Sequence, residues 1–122
     1  MTNELPLDGK RILVLEDDFY LAKDAAALLT QAGAEVIGPF GIAADANTVC
    51  GAGDLDGAIV DINLGNGPSF DFAQALDDRK VPFVFVTGYD ADIIPDAFAH
   101  IERLEKPLRR GELVAVVARV IG

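Results

Sequence analysis

The chain has 122 residues, 51% of them hydrophobic and 25% charged, which is enough apolar material for one domain with a single substantial core. Its formal net charge of −10 argues against nucleic acid as the main partner, because the phosphate backbone favours clustered Lys and Arg. The single cysteine excludes an internal disulfide and no apolar run could span a bilayer, so we expect a soluble cytoplasmic protein without a membrane partner.

The first half of the chain alternates between strand and helix patterns. The apolar run 12–15 predicts a buried strand, and the apolar residues that follow at helical spacing predict a helix ending at Gly33. Residues 34–39 have the pattern of a short strand. Residues 42–50 are rich in alanine and predict a small helix.

The middle of the chain contains the most apolar strand patterns. Residues 56–62 predict a strand covered on both faces, and the glycine-rich segment 63–68 predicts a loop. Ser69 is the expected cap of a helix that ends near Lys80, and the run 81–86 predicts the next strand.

The last third of the chain begins with its least regular pattern. Pro95 and several aspartates interrupt residues 89–100, so we expect only a short helix there. Residues 101–105 predict an edge strand, and 109–121 carry one apolar helical stripe.

Five strands alternating with helices indicate an α/β fold, an open parallel sheet with helices on both faces and right-handed crossovers. We expect residues 1–9 to form an N-terminal arm and residues 10–122 to form the domain. In such sheets, functional sites lie beyond the carboxyl ends of the strands.

Polar residues follow the predicted strands at that edge. Carboxylates come first, as Glu16-Asp17 and Asp61, and then Thr87-Gly88 and Lys106 end the later strands. Three carboxylates close together repel one another, and either proton uptake or a divalent cation relieves this repulsion. Mg²⁺ prefers oxygen ligands, and the backbone carbonyl of Asn63 can add one more.

These residue types match the needs of phosphoryl transfer. An oxygen of Asp61 can attack phosphorus in line, while Lys106 neutralises charge on the transferred group. The Thr87 hydroxyl can donate a hydrogen bond to a phosphoryl oxygen, and Gly88 leaves room for it.

Taken in order, Ile-Leu-Val-Leu-Glu16-Asp17, Ile-Val-Asp61, Val-Thr87 and Lys106-Pro107 resemble the receiver domain of two-component response regulators over nearly the whole chain. The resemblance implies a flavodoxin-like sheet of strand order 2-1-3-4-5. It also implies that Asp61 accepts a phosphoryl group from a histidine kinase or a histidine phosphotransfer protein. Glu16 and Asp17 would then hold Mg²⁺.

Two departures refine the resemblance. The position three residues before Lys106, commonly aromatic in receivers, is Arg103, whereas Tyr89 follows Thr87-Gly88. The sequence Phe85-Val86-Thr87-Gly88-Tyr89 is similar to the FAT GUY receiver subtype, whose kinases are typically of the HWE class. We therefore expect Tyr89 to act as the switch residue.

Three functions remain open. The first is a stand-alone receiver, monomeric or transiently dimeric, that works in a phosphorelay or binds a partner when phosphorylated, with only its own phosphorylation and dephosphorylation as chemistry. The second is a degenerate receiver that acts as a protein-binding module alone. The third is a small magnesium-dependent phosphatase, which the amide at Asn63 disfavours because such enzymes need a general acid there.

Overall fold

The apolar runs form a parallel sheet in the computed structural model, which describes residues 5–41, 55–64, 67–68, 70–88, 94–106 and 108–121. The strands in chain order are β1 (Arg11–Leu15), β2 (Glu35–Phe40), β3 (Gly57–Asp61), β4 (Asn63–Leu64), β5 (Gly67–Pro68), β6 (Phe83–Thr87) and β7 (Arg103–Glu105). Five of them form the main sheet, in the spatial order β2-β1-β3-β6-β7. Counted along the chain within this sheet, that order is 2-1-3-4-5, as expected for a flavodoxin-like fold.

Three helices and one short 3₁₀ helix cover the sheet in the described part of the chain. They are α1 (Phe19–Gln31), α2 (Asp71–Asp78), the 3₁₀ helix Asp96–Phe98 and α3 (Arg110–Ile121). Asp18 caps α1, because its side chain accepts hydrogen bonds from the backbone N–H groups of Tyr20 and Leu21. None of these helices has the length and apolarity needed to cross a membrane.

Alternation along each strand divides the core into two layers, one on each face of the sheet. In β6, for example, Val84 and Val86 join the layer packed against α1 and α3, whereas Phe83 and Phe85 join the layer packed against α2. Strands β3 and β6 are buried at every position, as a parallel sheet with two covered faces requires.

Residues 5–9, the described part of the predicted N-terminal arm, pack against the core through Leu7, which is 1% exposed and belongs to the α1–α3 layer. Its backbone N–H donates to the carbonyl of Ala32 at 2.9 Å. Gly33 ends α1 with φ +101°, and a Cβ at this position would lie 2.9 Å from the Cα of Asp8. A glycine is therefore required where the arm crosses the end of the helix.

The segment after β3 differs from the sequence-based prediction. The glycine-rich pattern predicts a loop over 63–68, but both ends of that segment pair as a small antiparallel ladder of β4 and β5. The prediction is wrong there because two pairs of residues around a two-residue connection are enough to close backbone hydrogen bonds.

The start of α2 also differs from the sequence-based prediction. Phe70, not Ser69, occupies the N-cap position of this helix, and Ser69 and the helix predicted over 42–50 lie outside the described residues. A short helix was predicted within residues 89–100. The described part of that segment, residues 94–100, contains the 3₁₀ helix Asp96–Phe98, which Pro95 directly precedes.

Candidate functional site

The register of the sheet brings the predicted site residues to one edge. Leu15 pairs with Val60 across β1 and β3, so Glu16 and Asp61 are the next residues of neighbouring strands. Asp61 pairs with Val86 in β6, and the N–H of Lys106 donates to the carbonyl of Thr87 at 3.0 Å. The four strand ends therefore lie side by side, as the sequence predicted.

Strand alternation places the two buried carboxyl groups on one face. Ile12 and Val14 contribute to the α1–α3 core layer, and Glu16 continues this alternation. Ile59 belongs to the same layer and Asp61 follows it by two residues. The side chains of Glu16 and Asp61 thus leave the sheet on the same side.

Lys106 joins these two carboxyl groups. Its Nζ lies 3.1 Å from Oδ2 of Asp61 and 3.2 Å from Oε1 of Glu16. Asp61 is 1% exposed and Glu16 is 6% exposed, so this ion pair is largely removed from water. Such a pair keeps its geometry because breaking it would leave a buried charge without compensation.

Glu16 differs electrostatically from an ordinary glutamate. Burial, a hydrogen bond to Asp61 and the charge of Asp61 raise the pKa of Glu16 to about 8. The protonated form of Glu16 therefore persists to a much higher pH than in an exposed glutamate. Two backbone contacts position it: its N–H donates to the carbonyl of Phe40 at 2.8 Å, and its Oε2 accepts from the N–H of Asp18 at 3.1 Å.

Lys106 remains charged in spite of its surroundings. Burial acts to lower the pKa of Lys106, but the hydrogen bond to Asp61 and the charges of Asp61 and Glu16 outweigh it, so the pKa is raised. A permanent ammonium next to Asp61 can neutralise negative charge that arrives on that carboxylate.

Three carboxylates lie close enough to share a cation. Glu16, Asp17 and Asp61 each offer an oxygen, and these oxygens lie within 4.8 Å of one another. Asp17 is exposed while the other two are buried, so a bound ion would be held by the protein on one side and by water on the other. This donor set of oxygens fits Mg²⁺, which retains several waters.

The fourth predicted ligand, Asn63, lies in β4 two residues after Asp61. The ligand role of its carbonyl stays a prediction.

The hydroxyl side of the site is formed by the end of β6. Thr87 is 3% exposed and ends the strand, and Gly88 follows in an exposed position. A Cβ at Gly88 would have no heavy atom of the described residues within 4 Å, which leaves open space beside Thr87 in that part of the chain. Tyr89, the predicted switch residue, lies outside the described residues.

Two features near the site escaped prediction from the sequence. The carbonyl of Phe40 accepts a hydrogen bond from the backbone N–H of Glu16 and so orients this residue, and the sequence contains no pattern that predicts such a contact. The second feature is a charged groove beside β7, lined in part by Arg103 and Arg109. The sequence does contain a pattern that could have predicted this charged surface, because residues 103–110 are rich in cations although the chain as a whole is acidic.

Several solved structures share this fold, although no family model matches the chain and no curated protein matches it. The solution structure of SdrG from Sphingomonas melonis Fr1 superposes with a TM-score of 0.82 at 30% identity, over 93% of this chain and 98% of that one.

A response regulator receiver protein from Sinorhizobium medicae WSM419 has a TM-score of 0.76 and 27% identity, over 94% of this chain and 96% of that one. The receiver domain of the sensor histidine kinase PA1611 from Pseudomonas aeruginosa PAO1 has a TM-score of 0.81 at 23% identity, over 93% of this chain and 98% of that one. That structure has a magnesium ion coordinated in its active site cleft. With this fold, this strand order and a relative 30% identical over nearly its whole length, the chain belongs to the receiver domains of response regulators.

Proposed function

We propose that this receiver accepts a phosphoryl group on Asp61 from a histidine kinase or a histidine phosphotransfer protein. One observation carries the proposal: Lys106 Nζ lies 3.1 Å from the buried carboxylate of Asp61, at the carboxyl edge of a receiver sheet. A nucleophilic carboxylate beside a fixed cation is the arrangement that phosphoryl transfer to aspartate requires.

We assign Mg²⁺ to the carboxylates of Glu16, Asp17 and Asp61, with the backbone carbonyl of Asn63 as a fourth ligand. Their closely spaced oxygens support this assignment. When bound, the ion would neutralise charge on the phosphoryl oxygens. Glu16 must release its proton for this, because a ligand carboxylate has to be ionised.

The transfer itself follows from the positions of the side chains. An oxygen of Asp61 attacks phosphorus, the P–O bond forms as the P–N bond to the donor imidazole breaks, and the leaving nitrogen takes its electron pair with it. Lys106 stays beside Asp61 and compensates the added negative charge. The Thr87 hydroxyl donates a hydrogen bond to a phosphoryl oxygen, which occupies the open space next to Gly88.

We propose no enzymatic activity beyond self-phosphorylation and dephosphorylation. A phosphatase would need a general acid at position 63, where an amide stands. A degenerate receiver acting only as an interaction module is the second candidate. The ion pair of Lys106 with Asp61 favours the phosphoacceptor function over this second candidate, because the nucleophilic carboxylate and the neighbouring ammonium are both present.

The sequence around β6 is the basis for a more specific proposal about the receiver subtype and its kinase. We propose membership of the FAT GUY subtype, with a kinase of the HWE class, a place in a phosphorelay, and a monomer or transient dimer in the cytoplasm. Supporting the subtype, the motif residues Phe85, Val86 and Thr87 are all buried in β6, and Thr87 ends that strand at the site.

The test is the intact mass of the protein after incubation with Mg²⁺ and a small-molecule phosphodonor. We expect one added phosphoryl group, which is lost in Asp61→Asn and without Mg²⁺, and is kept in the matched control Asp24→Asn, an exposed aspartate of α1. If the folded protein gains no phosphoryl group from this donor or from a phosphorylated histidine phosphotransfer protein, the interaction-only function is correct.

A further inference from the structure

Asp56 and Arg11 are joined in both directions at the amino end of the sheet, opposite to the site. The backbone N–H of Arg11 donates to Oδ2 of Asp56 at 2.8 Å. The backbone N–H of Asp56 donates in turn to the carbonyl of Arg11 at 2.8 Å. Asp56 directly precedes β3 and Arg11 begins β1, so these two bonds, the Asp56–Arg11 clamp, fix the starting points of both strands.

The side chain of Arg11 connects the clamp to a third strand. Its Nε lies 3.0 Å from Oε2 of Glu35, the residue of β2 with which Arg11 is in register. Both side chains of this ion pair are exposed, so the pair contributes little by itself. The bond from Arg11 to the Asp56 carboxylate is partly buried, which makes Asp56 the stronger of the two contacts.

The apolar residues of β1 and β3 do not by themselves select one alignment of these strands. Residues 12–15 of β1 and 58–60 of β3 are apolar and buried whichever face they point to. Alternation specifies a register when an apolar face differs from a polar one, and these strands have no such difference. Leucine, isoleucine and valine are also similar in volume, so a shifted alignment would still pack apolar groups together.

The alignment of β1 with β3 nevertheless decides where the two buried carboxyl groups of the site lie. Leu15 pairs with Val60, which puts Glu16 beside Asp61. A shift by one residue would displace them by about 3.3 Å, which is large beside the 4.8 Å that encloses the three carboxylate oxygens of the cation site. The carboxyl end does not favour this alignment, because ionised carboxylates on neighbouring strands repel each other.

Lys106 is the alternative source of the alignment, since its Nζ bridges Asp61 and Glu16. Its ammonium is a point charge on a flexible stem of four carbons, which can follow the two carboxyl groups when they move. The carboxylate of Asp56 is separated from its backbone by one methylene and binds a backbone N–H, so it tolerates much less displacement.

From these bonds, and from the lack of another contact that selects the alignment, we propose that Asp56 is a positioning residue for the site. By holding Arg11, it sets the alignment of β1 and β3 and so the spacing of the carboxyl groups about 16 Å away at their other ends. The inference rests on the proposed function, because the groups that Asp56 positions are the phosphoacceptor and the Mg²⁺ ligands.

The experiment compares Asp56→Ala, which removes the acceptor, with Asp56→Asn, which keeps an oxygen at the same distance from the backbone. Titration with Mg²⁺ should show roughly tenfold weaker binding in Asp56→Ala, the lower end of what loss of a group that orients metal ligands costs. Asp56→Asn should bind like the wild type. Nuclear Overhauser contacts between the backbone protons of Leu15 and Val60 should weaken in Asp56→Ala alone.

Two variants serve as controls, and both should bind Mg²⁺ like the wild type. Glu102→Ala removes a carboxylate that is paired with Arg119 at the same end of the sheet. Val116→Ala removes apolar volume from the α1–α3 core layer and so lowers stability without touching the clamp. If Asp56→Ala does not fold, Asp56→Gln replaces it, because it moves the amide oxygen of Asp56→Asn one methylene further from the backbone.

Three results would overturn the proposal: unchanged Mg²⁺ affinity and cross-strand contacts in Asp56→Ala or its replacement, an equal loss in Asp56→Asn, or an equal loss in Val116→Ala. Neither measurement uses a phosphodonor, so failure of Asp61 to accept a phosphoryl group would leave this test intact. If the wild type binds no Mg²⁺, the contacts between β1 and β3 decide the question alone.

Discussion

Lys106 Nζ lies 3.1 Å from Oδ2 of Asp61, and the backbone of the same lysine is bonded to Thr87, the last residue of the neighbouring strand. One residue thus connects the nucleophile with the predicted hydroxyl donor. Its side chain supplies the charge and its main chain fixes the distance between the ends of β6 and β7.

Lys106→Gln removes the ammonium while retaining most of the side-chain volume. We expect phosphorylation from a small-molecule donor to slow by about 100-fold or more, the cost of deleting one fixed group that stabilises developing charge. The rate of mass increase in the presence of Mg²⁺ measures this. Lys80→Gln, an exposed lysine outside the site, is the control, and equal rates for the two variants would contradict the role of Lys106.

Mg²⁺ binding should depend on pH through Glu16. Because the pKa of Glu16 is raised to about 8, the group is protonated below that pH, and the ion must displace the proton. Apparent affinity should therefore rise by up to about tenfold per pH unit below pH 8 and level off above it. Titration with Mg²⁺ at several pH values measures this dependence.

Glu16→Gln is the control for this pH dependence, since the amide cannot titrate. In that variant Mg²⁺ should bind more weakly, with a flatter pH profile. An affinity that is independent of pH in the wild type would show that Glu16 is already ionised before the ion binds.

The first helix depends on the Asp18 cap. Asp18→Ala removes the acceptor for two backbone N–H groups, and we expect the free energy of unfolding to fall by about 1 kcal/mol. Asp24→Ala removes an exposed carboxylate in the same helix and should change it by no more than about 0.5 kcal/mol. Urea unfolding of both variants distinguishes capping from a general effect of charge, and equal losses would contradict the cap.

Phe19 and Tyr20 are 70% and 76% exposed and contact each other edge to face, with ring centroids 5.5 Å apart. Large exposed aromatic side chains beside a reactive site are typical of partner contacts. We expect Phe19→Ala/Tyr20→Ala to slow phosphotransfer from a histidine phosphotransfer protein at least about tenfold, as loss of an interface anchor does. Phosphorylation by the small-molecule donor should be unchanged, and if both donors slow equally, the aromatic pair acts on the site and not on docking.

Two glycines should respond to alanine in opposite directions. Gly33 has φ +101° and close neighbours in the N-terminal arm, so Gly33→Ala should destabilise the fold by about 1–3 kcal/mol. Gly111 is exposed in α3, and a methyl group added there would meet no heavy atom of the described residues within 4 Å, so Gly111→Ala should stabilise the fold by up to about 1 kcal/mol. Thermal unfolding of both variants provides the comparison, and the same sign for both would contradict the stated reasons.

The sheet and the charged site were predictable because both follow from simple spacing. Apolar runs define the strands, and residues that end parallel strands meet at one edge, which was sufficient to bring Glu16, Asp61 and Lys106 together. The β4–β5 ladder was not predictable, since glycine-rich segments are equally compatible with a loop. Proton uptake by the carboxylate cluster was one expected outcome, but the sequence does not identify Glu16 as the group with the raised pKa, because that pKa depends on burial and on the distance to Asp61.

The alternation of β6 has a consequence for how reliably the site assembles. Phe83, Phe85 and Thr87 leave the strand on one face, and the first two pack into the aromatic cluster with Phe70 and Phe98. A slip of β6 by one residue would turn both phenylalanines toward the opposite face of the sheet and would put Val86 or Gly88 in the place of Thr87. The packing of the aromatic cluster therefore fixes the register of β6, and with it the position of Thr87 at the carboxyl edge of the sheet that also carries Asp61 and Lys106.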